Sequence, residues 1–98
     1  MKSLEEVVQI LRRHKQELQQ LYGVEEIAVF GSFARGTQTA QSDVDILVRL
    51  SKPIGFRFFE LWDYLAELLG MNVDLLTPNA LKQKPFLWES VMEDLVHV

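Results

Sequence analysis

The fold is decided by the stretch GSFARGTQTAQSDVD, residues 31–45, which links an apolar run at residues 27–30 to a second at residues 44–50. Branched and aromatic side chains dominate both runs, and such side chains favour β-strands. A Gly-Ser pair directly after a strand can lead into a short helical segment and present backbone N–H groups to an anion. The stretch therefore predicts two strands joined by a turn that binds phosphate.

Two aspartates, Asp43 and Asp45, alternate at the start of the second strand. Residues i and i+2 of a strand share a face, so both carboxylates are expected to point the same way. Carboxylates this close repel each other unless a proton or a cation lies between them. Mg2+ takes oxygen ligands, often one or two carboxylates together with substrate phosphates. A phosphate-binding turn beside paired carboxylates is typical of a nucleotide-handling enzyme.

This pattern resembles the signature of the DNA polymerase β-like nucleotidyltransferase superfamily, and most closely that of its minimal nucleotidyltransferases. The matching residues are Gly-Ser at 31–32, Ala-Arg-Gly at 34–36 and Ser-Asp-Val-Asp-Ile-Leu-Val at 42–48. The family also has a third carboxylate on a later strand, and Asp74 within residues 72–76 matches that position. The resemblance covers nearly the whole chain and implies the nucleotidyltransferase fold, an α/β (α+β) arrangement with a small mixed sheet packed with helices.

The resemblance also implies the catalytic residues. Asp43, Asp45 and Asp74 are expected to be catalytic and to bind one or two Mg2+ ions, with Asp74 helping to accept the proton of the attacking hydroxyl. The substrate that the resemblance implies is ATP.

Four further residues are expected to bind the nucleotide or its phosphates. Gly31 allows close backbone approach to the β- and γ-phosphates, and Ser32 donates to them. Arg35 either contacts phosphate or holds an aspartate in place, and the sequence does not choose between these roles. Ser42 either contributes to nucleotide binding or orders the loop before Asp43. The remaining acids, Asp94 among them, are expected to be solvated surface residues.

The length and composition of the chain limit the classes of protein to which it can belong. A chain of 98 residues is long enough for one domain, residues 1–98, with a modest core. It has no cysteine, which excludes disulfides and thiolate metal sites. No apolar run is long enough to cross a bilayer, and acids stand where a signal peptide would be apolar, so a cytoplasmic protein without membrane contact is expected. The net charge of −4 disfavours non-specific binding to nucleic acid.

Periodicity predicts alternating helices and strands, and hence an α/β sandwich. The predicted elements are a helix over residues 3–22 with a Ser3–Glu6 capping box, strands over 24–30, 44–50 and 72–76, a short helical segment over 33–36, a helix over 56–69, a short helix from 80, a helix over 86–93 and an edge strand over 95–98. In the helix over 56–69, Phe56, Phe59 and Tyr64 lie off the core stripe. They either cover the sheet or form a partner surface.

We therefore expect a Mg2+-dependent nucleotidyltransferase that moves AMP from ATP to a protein hydroxyl. The resemblance implies the acceptor, because many minimal nucleotidyltransferases act as antitoxins that adenylylate a HEPN-domain toxin. Two alternatives stay open: a binding module that neutralises its partner by contact, and nucleotidyl transfer to a small molecule. The sequence does not reveal the base preference or the oligomeric state, and a homo-oligomer is compatible with it.

Overall fold

A four-stranded mixed sheet forms the centre of the computed structural model, which describes residues 2–98. The strands are β1 (Val24–Phe30), β2 (Val44–Leu50), β3 (Val73–Leu76) and β4 (Val96–His97), in the order β3-β2-β1-β4. β2 runs parallel to β3, whereas β1 runs antiparallel to both β2 and β4. The parallel pair requires a crossover connection between β2 and β3.

Helices cover both faces of this sheet. They are α1 (Leu4–Arg13), α2 (Lys15–Tyr22), α3 (Gly31–Arg35), α4 (Arg57–Leu69), α5 (Pro78–Lys82) and α6 (Pro85–Asp94). Side chains of α1, α2, α3 and α4 pack with Ile46 and Val48 in the larger core, and those of α5 and α6 pack with Phe30 and Leu47 in a smaller one. This arrangement follows from the strand alternation, which sends successive side chains to opposite faces. It confirms the predicted mixed sheet packed with helices.

The N-terminal helix differs from its prediction. The predicted Ser3–Glu6 capping box is present. However, α1 ends at Arg13 and α2 begins at Lys15, so the prediction of a single helix over residues 3–22 is wrong. His14 lies between the two helices with φ −107° and ψ 6°, and its Nδ1 is 2.9 Å from the carbonyl oxygen of Ile10. Apolar residues recur at helical spacing on both sides of this break, and no Pro or Gly marks it, so periodicity does not detect it.

Helix α4 buries one stripe and exposes its first turn. Leu61, Leu65 and Leu69, each four residues apart, are fully buried against the sheet. Phe56 and Phe59 are 89% and 61% exposed, so the interpretation that they cover the sheet is wrong for these two residues. Within residues 2–98, no helix combines the length and the apolar character needed to cross a membrane.

The later elements match their predictions within two residues. The short helix α5 begins at Pro78 rather than Ala80, because the Thr77 hydroxyl accepts a hydrogen bond from the Ala80 N–H and so caps the helix. Helix α6 begins at Pro85, and the final segment adds β4 at the edge of the sheet beside β1. Because α6 lies between β3 and β4 in the chain, it crosses the sheet face on which Phe30 and Leu47 lie.

Candidate active site

Two of the three predicted catalytic acids are direct neighbours across the sheet. In the parallel register of β2 and β3, Asp45 is paired with Asp74. In the antiparallel register of β1 and β2, Asp45 is paired with Phe30, the last residue of β1. Paired residues of adjacent strands share a face, so both carboxylates lie on the side covered by α6. The sheet therefore brings together residues that are 29 positions apart in the sequence.

The third acid, Asp43, lies in the loop just before β2 and is exposed. The Ser42 hydroxyl accepts a hydrogen bond of 2.8 Å from the backbone N–H of Thr39 within this loop. The Ser42 side chain is therefore engaged with its own loop. This contact favours the loop-ordering interpretation of Ser42 over nucleotide binding.

The electrostatics of the site centre on Asp45, which is half-buried. Its pKa is raised from 3.8 to about 6, chiefly because burial disfavours the charged carboxylate, and further because Asp74 and Asp43 bring like charge. Arg35 opposes this effect and favours the charged form. The site thus concentrates negative charge, and a cation would stabilise it.

Gly31 is in close contact with Asp45. Gly31 has φ +73°, and a Cβ atom at this position would lie 2.1 Å from Asp45 Oδ2 and 3.0 Å from Asp45 Cγ. Two constraints therefore favour glycine in the turn from β1 into α3. The backbone is left-handed at this position, and the Asp45 carboxylate occupies the space that a Cβ atom would need. The sequence predicts a role for Gly31 toward phosphate but gives no signal of this second role.

Arg35 is paired with an acid that the sequence analysis left among the surface residues. Its Nη1 donates to Asp94 Oδ2 at 2.6 Å, which joins α3 to the last residue of α6. The aspartate that Arg35 holds is thus Asp94 and not a predicted catalytic acid. Sequence reasoning missed Asp94 because the two residues are 59 positions apart and no local pattern connects them.

One pocket of about 230 Å3 at the end of the sheet is lined by four of the predicted site residues, namely Gly31, Arg35, Asp45 and Asp74. The other three, Ser32, Ser42 and Asp43, do not line it. Its polar lining comes from Asp45 and Asp74 of the sheet, Arg35 of α3, and Ser90 and Asp94 of α6. Four larger cavities, of about 370, 380, 420 and 470 Å3, are lined by none of the predicted site residues. We assign function to the smaller pocket because it is lined by Asp45 and Asp74.

The acids fit a hard divalent cation by their chemistry. Asp43, Asp45 and Asp74 offer only carboxylate oxygens, the ligands that Mg2+ prefers. The pKa of Asp45 is raised chiefly by burial and further by repulsion from Asp74 and Asp43, and a cation would favour the charged form against both effects. Across residues 2–98, however, no group of three or more His, Cys, Asp or Glu side chains is already placed to hold a metal ion. The carboxylates would therefore have to move slightly to share an ion.

Comparison with known proteins identifies the family. The family model described as the nucleotidyltransferase domain matches residues 11–98. The chain belongs to this nucleotidyltransferase family. It is an enzyme, as the motif at residues 31–45 predicted. The protein adenylyltransferase MntA of Thermococcus cleftensis is 44% identical to this nucleotidyltransferase over 99 residues, which cover all of this chain and 98% of that relative.

Solved structures share the fold of this nucleotidyltransferase. A candidate minimal nucleotidyltransferase matches with TM-score 0.78 and 30% identity over 99% of this chain and 97% of its own. A chain from a toxin-antitoxin crystal structure with AMP-PNP matches with TM-score 0.68 and 25% identity, over 98% of this chain and 72% of that one. A chain from a Shewanella oneidensis complex of a tri-AMPylated HEPN toxin with an MNT antitoxin matches with TM-score 0.58 and 21% identity, over 96% of this chain and 66% of that one. At this identity the match shows a shared fold alone.

Proposed function

We propose that this nucleotidyltransferase transfers AMP from ATP to a hydroxyl group of a protein, and that it acts as the antitoxin of a HEPN-domain toxin. The observation that carries the proposal is the pairing of Asp45 with Asp74 beside Gly31 in one pocket. The likeness to MntA over the whole chain supports the adenylyl group and the protein acceptor. We further propose that residues 1–98 form one domain.

The reaction exchanges one phosphoester bond for another. The acceptor hydroxyl oxygen attacks the α-phosphorus of ATP, the bond to the β-phosphate breaks, and pyrophosphate leaves with the bonding electrons. The hydroxyl proton passes to Asp74, whose side chain is exposed to solvent. Asp43, Asp45 and Asp74 would hold Mg2+, and the bound ion supplies charge stabilisation for the phosphate oxygens and the leaving group. The protein mainly positions the reactants.

The phosphates are proposed to lie at the turn that follows β1. Helix α3 begins at Gly31, and the first N–H groups of a helix have no partner within it. Gly31 and Ser32 can therefore direct backbone N–H groups toward the β- and γ-phosphates. Arg35, one turn later in α3 and lining the same pocket, adds a charged donor. Arg35 also holds an aspartate, Asp94, so the two roles that the sequence left open for Arg35 do not exclude each other.

Transfer of label from ATP tests the proposed reaction. Purified protein is incubated with Mg2+, the partner toxin and ATP labelled at either the α- or the γ-phosphate. We expect label on the toxin from α-labelled ATP only, because AMP transfer moves the α-phosphate and releases the γ-phosphate. Asp43→Asn is the matched control, because Asp43 is exposed in a loop and its replacement should leave the fold intact.

Three other results would change the assignment. Label from γ-labelled ATP would indicate phosphoryl transfer and contradict the proposal. Absence of any label, together with a partner that binds both the parent and Asp43→Asn equally well, would favour the contact-only antitoxin. Label recovered on a small molecule from lysate, and none on protein, would favour the third function, nucleotidyl transfer to a small molecule.

The exposed phenylalanines of α4 are the proposed docking surface for the toxin. Phe56 and Phe59 are 89% and 61% exposed. Buried aromatic anchors can each contribute 2 kcal/mol or more to an interface. We expect the double variant Phe56→Ser/Phe59→Ser to weaken toxin binding by about 30-fold or more in calorimetry, since 1.4 kcal/mol is tenfold. Its thermal stability should change little, because neither side chain is buried.

Phe86 supplies a matched control for this prediction. It is 93% exposed, so Phe86→Ser removes a similar ring from α6. Its neighbour in sequence, Leu87, lines the pocket with the acids. If Phe86→Ser weakens toxin binding and the α4 double variant does not, the docking surface lies at the mouth of the pocket and the assignment to Phe56 and Phe59 is wrong.

A further inference from the structure

The ion pair between Arg35 and Asp94 differs from the other arginine–carboxylate pairs of the described chain. The Asp94 side chain is 20% exposed, whereas the carboxylates that pair with Arg49 and Arg57 are 48% to 65% exposed. Its Nη1–Oδ2 distance of 2.6 Å is that of a strong charge-assisted hydrogen bond. The Arg35 side chain is itself 49% exposed, so the difference from the other pairs lies in the carboxylate. A carboxylate held by its surroundings fixes the guanidinium in one orientation more firmly than a solvated carboxylate does.

The position of this pair connects it with the predicted chemistry. Arg35, Asp94, Asp45 and Asp74 all line the same pocket. Arg35 is close enough to Asp45 to favour its charged form. A guanidinium has five N–H donors, and the contact with Asp94 uses the Nη1 group. The other donors remain to meet a ligand in the pocket.

We propose that Asp94 is a positioning residue, which orients the guanidinium of Arg35 so that its remaining donors meet the triphosphate of the nucleotide. This inference rests on the proposed function in one respect, namely that the pocket binds ATP. Asp94 itself carries negative charge and would repel phosphate, but Arg35 neutralises it at contact distance. The ion pair therefore contributes the orientation of the Arg35 guanidinium and adds no net charge to the pocket. Without Asp94, the arginine must lose more of its rotamer freedom each time a nucleotide binds.

The expected effect is a loss of affinity that depends on the phosphates. Asp94→Asn should weaken ATP binding by about 10-fold. The entropy lost on ordering the Arg35 side chain is expected to outweigh the gain from removing the repulsion between Asp94 and the phosphates. The same variant should bind adenosine as tightly as the parent does. Asp94→Glu keeps the charge and should stay within about 3-fold of the parent for ATP. In turnover, KM for ATP should rise by about 10-fold and kcat should change much less.

A purely structural role of the pair predicts different results. If the pair only fastens α6 to α3, Asp94→Asn should lower the melting temperature and weaken ATP and adenosine binding alike. The charge swap Arg35→Asp/Asp94→Arg separates the two roles. It restores an ion pair between the helices but moves the guanidinium to α6. We expect the swap to recover thermal stability and not ATP affinity.

Calorimetric titration of the purified full chain with ATP or adenosine, in the presence of Mg2+, tests the inference without any partner protein. Glu26→Gln is the control, because it removes an exposed carboxylate paired with Arg49 outside this pocket. If the parent binds ATP and Asp94→Asn binds it equally well, or if the swap restores full ATP affinity, Asp94 has no positioning role and only this inference fails. If the parent does not bind ATP at all, the proposed function fails, and the inference fails with it.

Discussion

Asp45→Asn is expected to lower the proposed AMP transfer by about 10³-fold or more while the fold survives. Asp45 is the acid that faces Asp74 across the sheet and touches Gly31 at the turn. An amide of the same shape removes the charge that a metal ion and its phosphates would require, and metal-ion stabilisation is worth several kcal/mol. Each 1.36 kcal/mol is tenfold in rate. Single-turnover transfer of α-labelled AMP, compared between the parent and the variant, measures the loss.

The same substitution is expected to stabilise the metal-free protein in a pH-dependent manner. The pKa of Asp45 is about 6 in the folded state, above its ordinary value of 3.8, so the folded state holds this proton more tightly than the unfolded state does. The contribution of the protonated Asp45 carboxyl to the free energy of unfolding is complete below pH about 4, and it is lost as the pH rises through about 6. In EDTA, Asp45→Asn should therefore be more stable than the parent by about 1–2 kcal/mol at pH 8, after allowance for solvent screening.

Urea unfolding at pH 4 and pH 8 checks this expectation. The stability difference between Asp45→Asn and the parent should be much smaller at pH 4, where Asp45 is protonated in the folded parent and partly protonated in the unfolded parent. Added Mg2+ should stabilise the parent at pH 8 and leave the variant unchanged. A difference of equal size at both pH values would show that ionisation of Asp45 is not its cause. Stabilisation of both proteins by Mg2+ would show that the ion binds elsewhere.

Gly31→Ala is expected to destabilise the protein by about 1–3 kcal/mol and to reduce transfer by about 10²-fold. The positive φ of +73° is unfavourable for alanine. In addition, the new Cβ would lie 2.1 Å from Asp45 Oδ2, so the Asp45 side chain must rotate away. A displacement of about 1 Å at a reacting centre can cost 10²-fold in rate. Thermal or urea unfolding and the label-transfer rate measure the two effects separately.

Gly36→Ala is the matched control for this substitution. Gly36 has nearly the same backbone, φ +74°, but no atom lies within 4 Å of the position that its Cβ would occupy. It should therefore show the backbone cost without the loss of transfer. A second control places Gly31→Ala in an Asp45→Ala background, where the contacts with Oδ2 and Cγ are absent and only a 3.3 Å contact with Cβ remains, so most of the extra destabilisation should disappear. Equal loss of transfer in Gly31→Ala and Gly36→Ala would contradict the role assigned to the Asp45 contact.

Much of the fold could be predicted because local signals agree with it. The strands at residues 24–30 and 44–50 match their predicted bounds, since apolar runs flanked by turn residues leave few other choices. The capping box of Ser3 and Glu6 marks the start of the first helix, and this signal is also local because the two residues are close in sequence. The family was predicted from residues 31–45 and Asp74, and the nucleotidyltransferase model confirms it.

What the sequence could not supply depends on contacts between distant residues. The break at His14 lies within a continuous apolar period, so only the packing of α1 and α2 reveals it. The contact of Gly31 with Asp45 depends on the register of β1 and β2. The partner of Arg35 depends on the path of α6 across the sheet, which places Asp94 at the pocket. Each of these features is set by tertiary geometry rather than by residue pattern.

The parallel pairing of β2 and β3 also has a practical consequence for protein engineering. Asp45 and Asp74 face each other because neighbouring strands lie about 4.8 Å apart. The loop at residues 51–55, at the far end of β2, does not set this spacing. Doubling the length of a flexible loop costs only about 0.6 kcal/mol. Lys52 and Pro53, between the hydrogen-bonded Ser51 and the core-packed Ile54, are therefore a suitable insertion point for a short affinity tag in nucleotide-binding assays, because it would leave the acids in register. Toxin-binding assays need the untagged chain, since the proposed docking residue Phe56 follows closely.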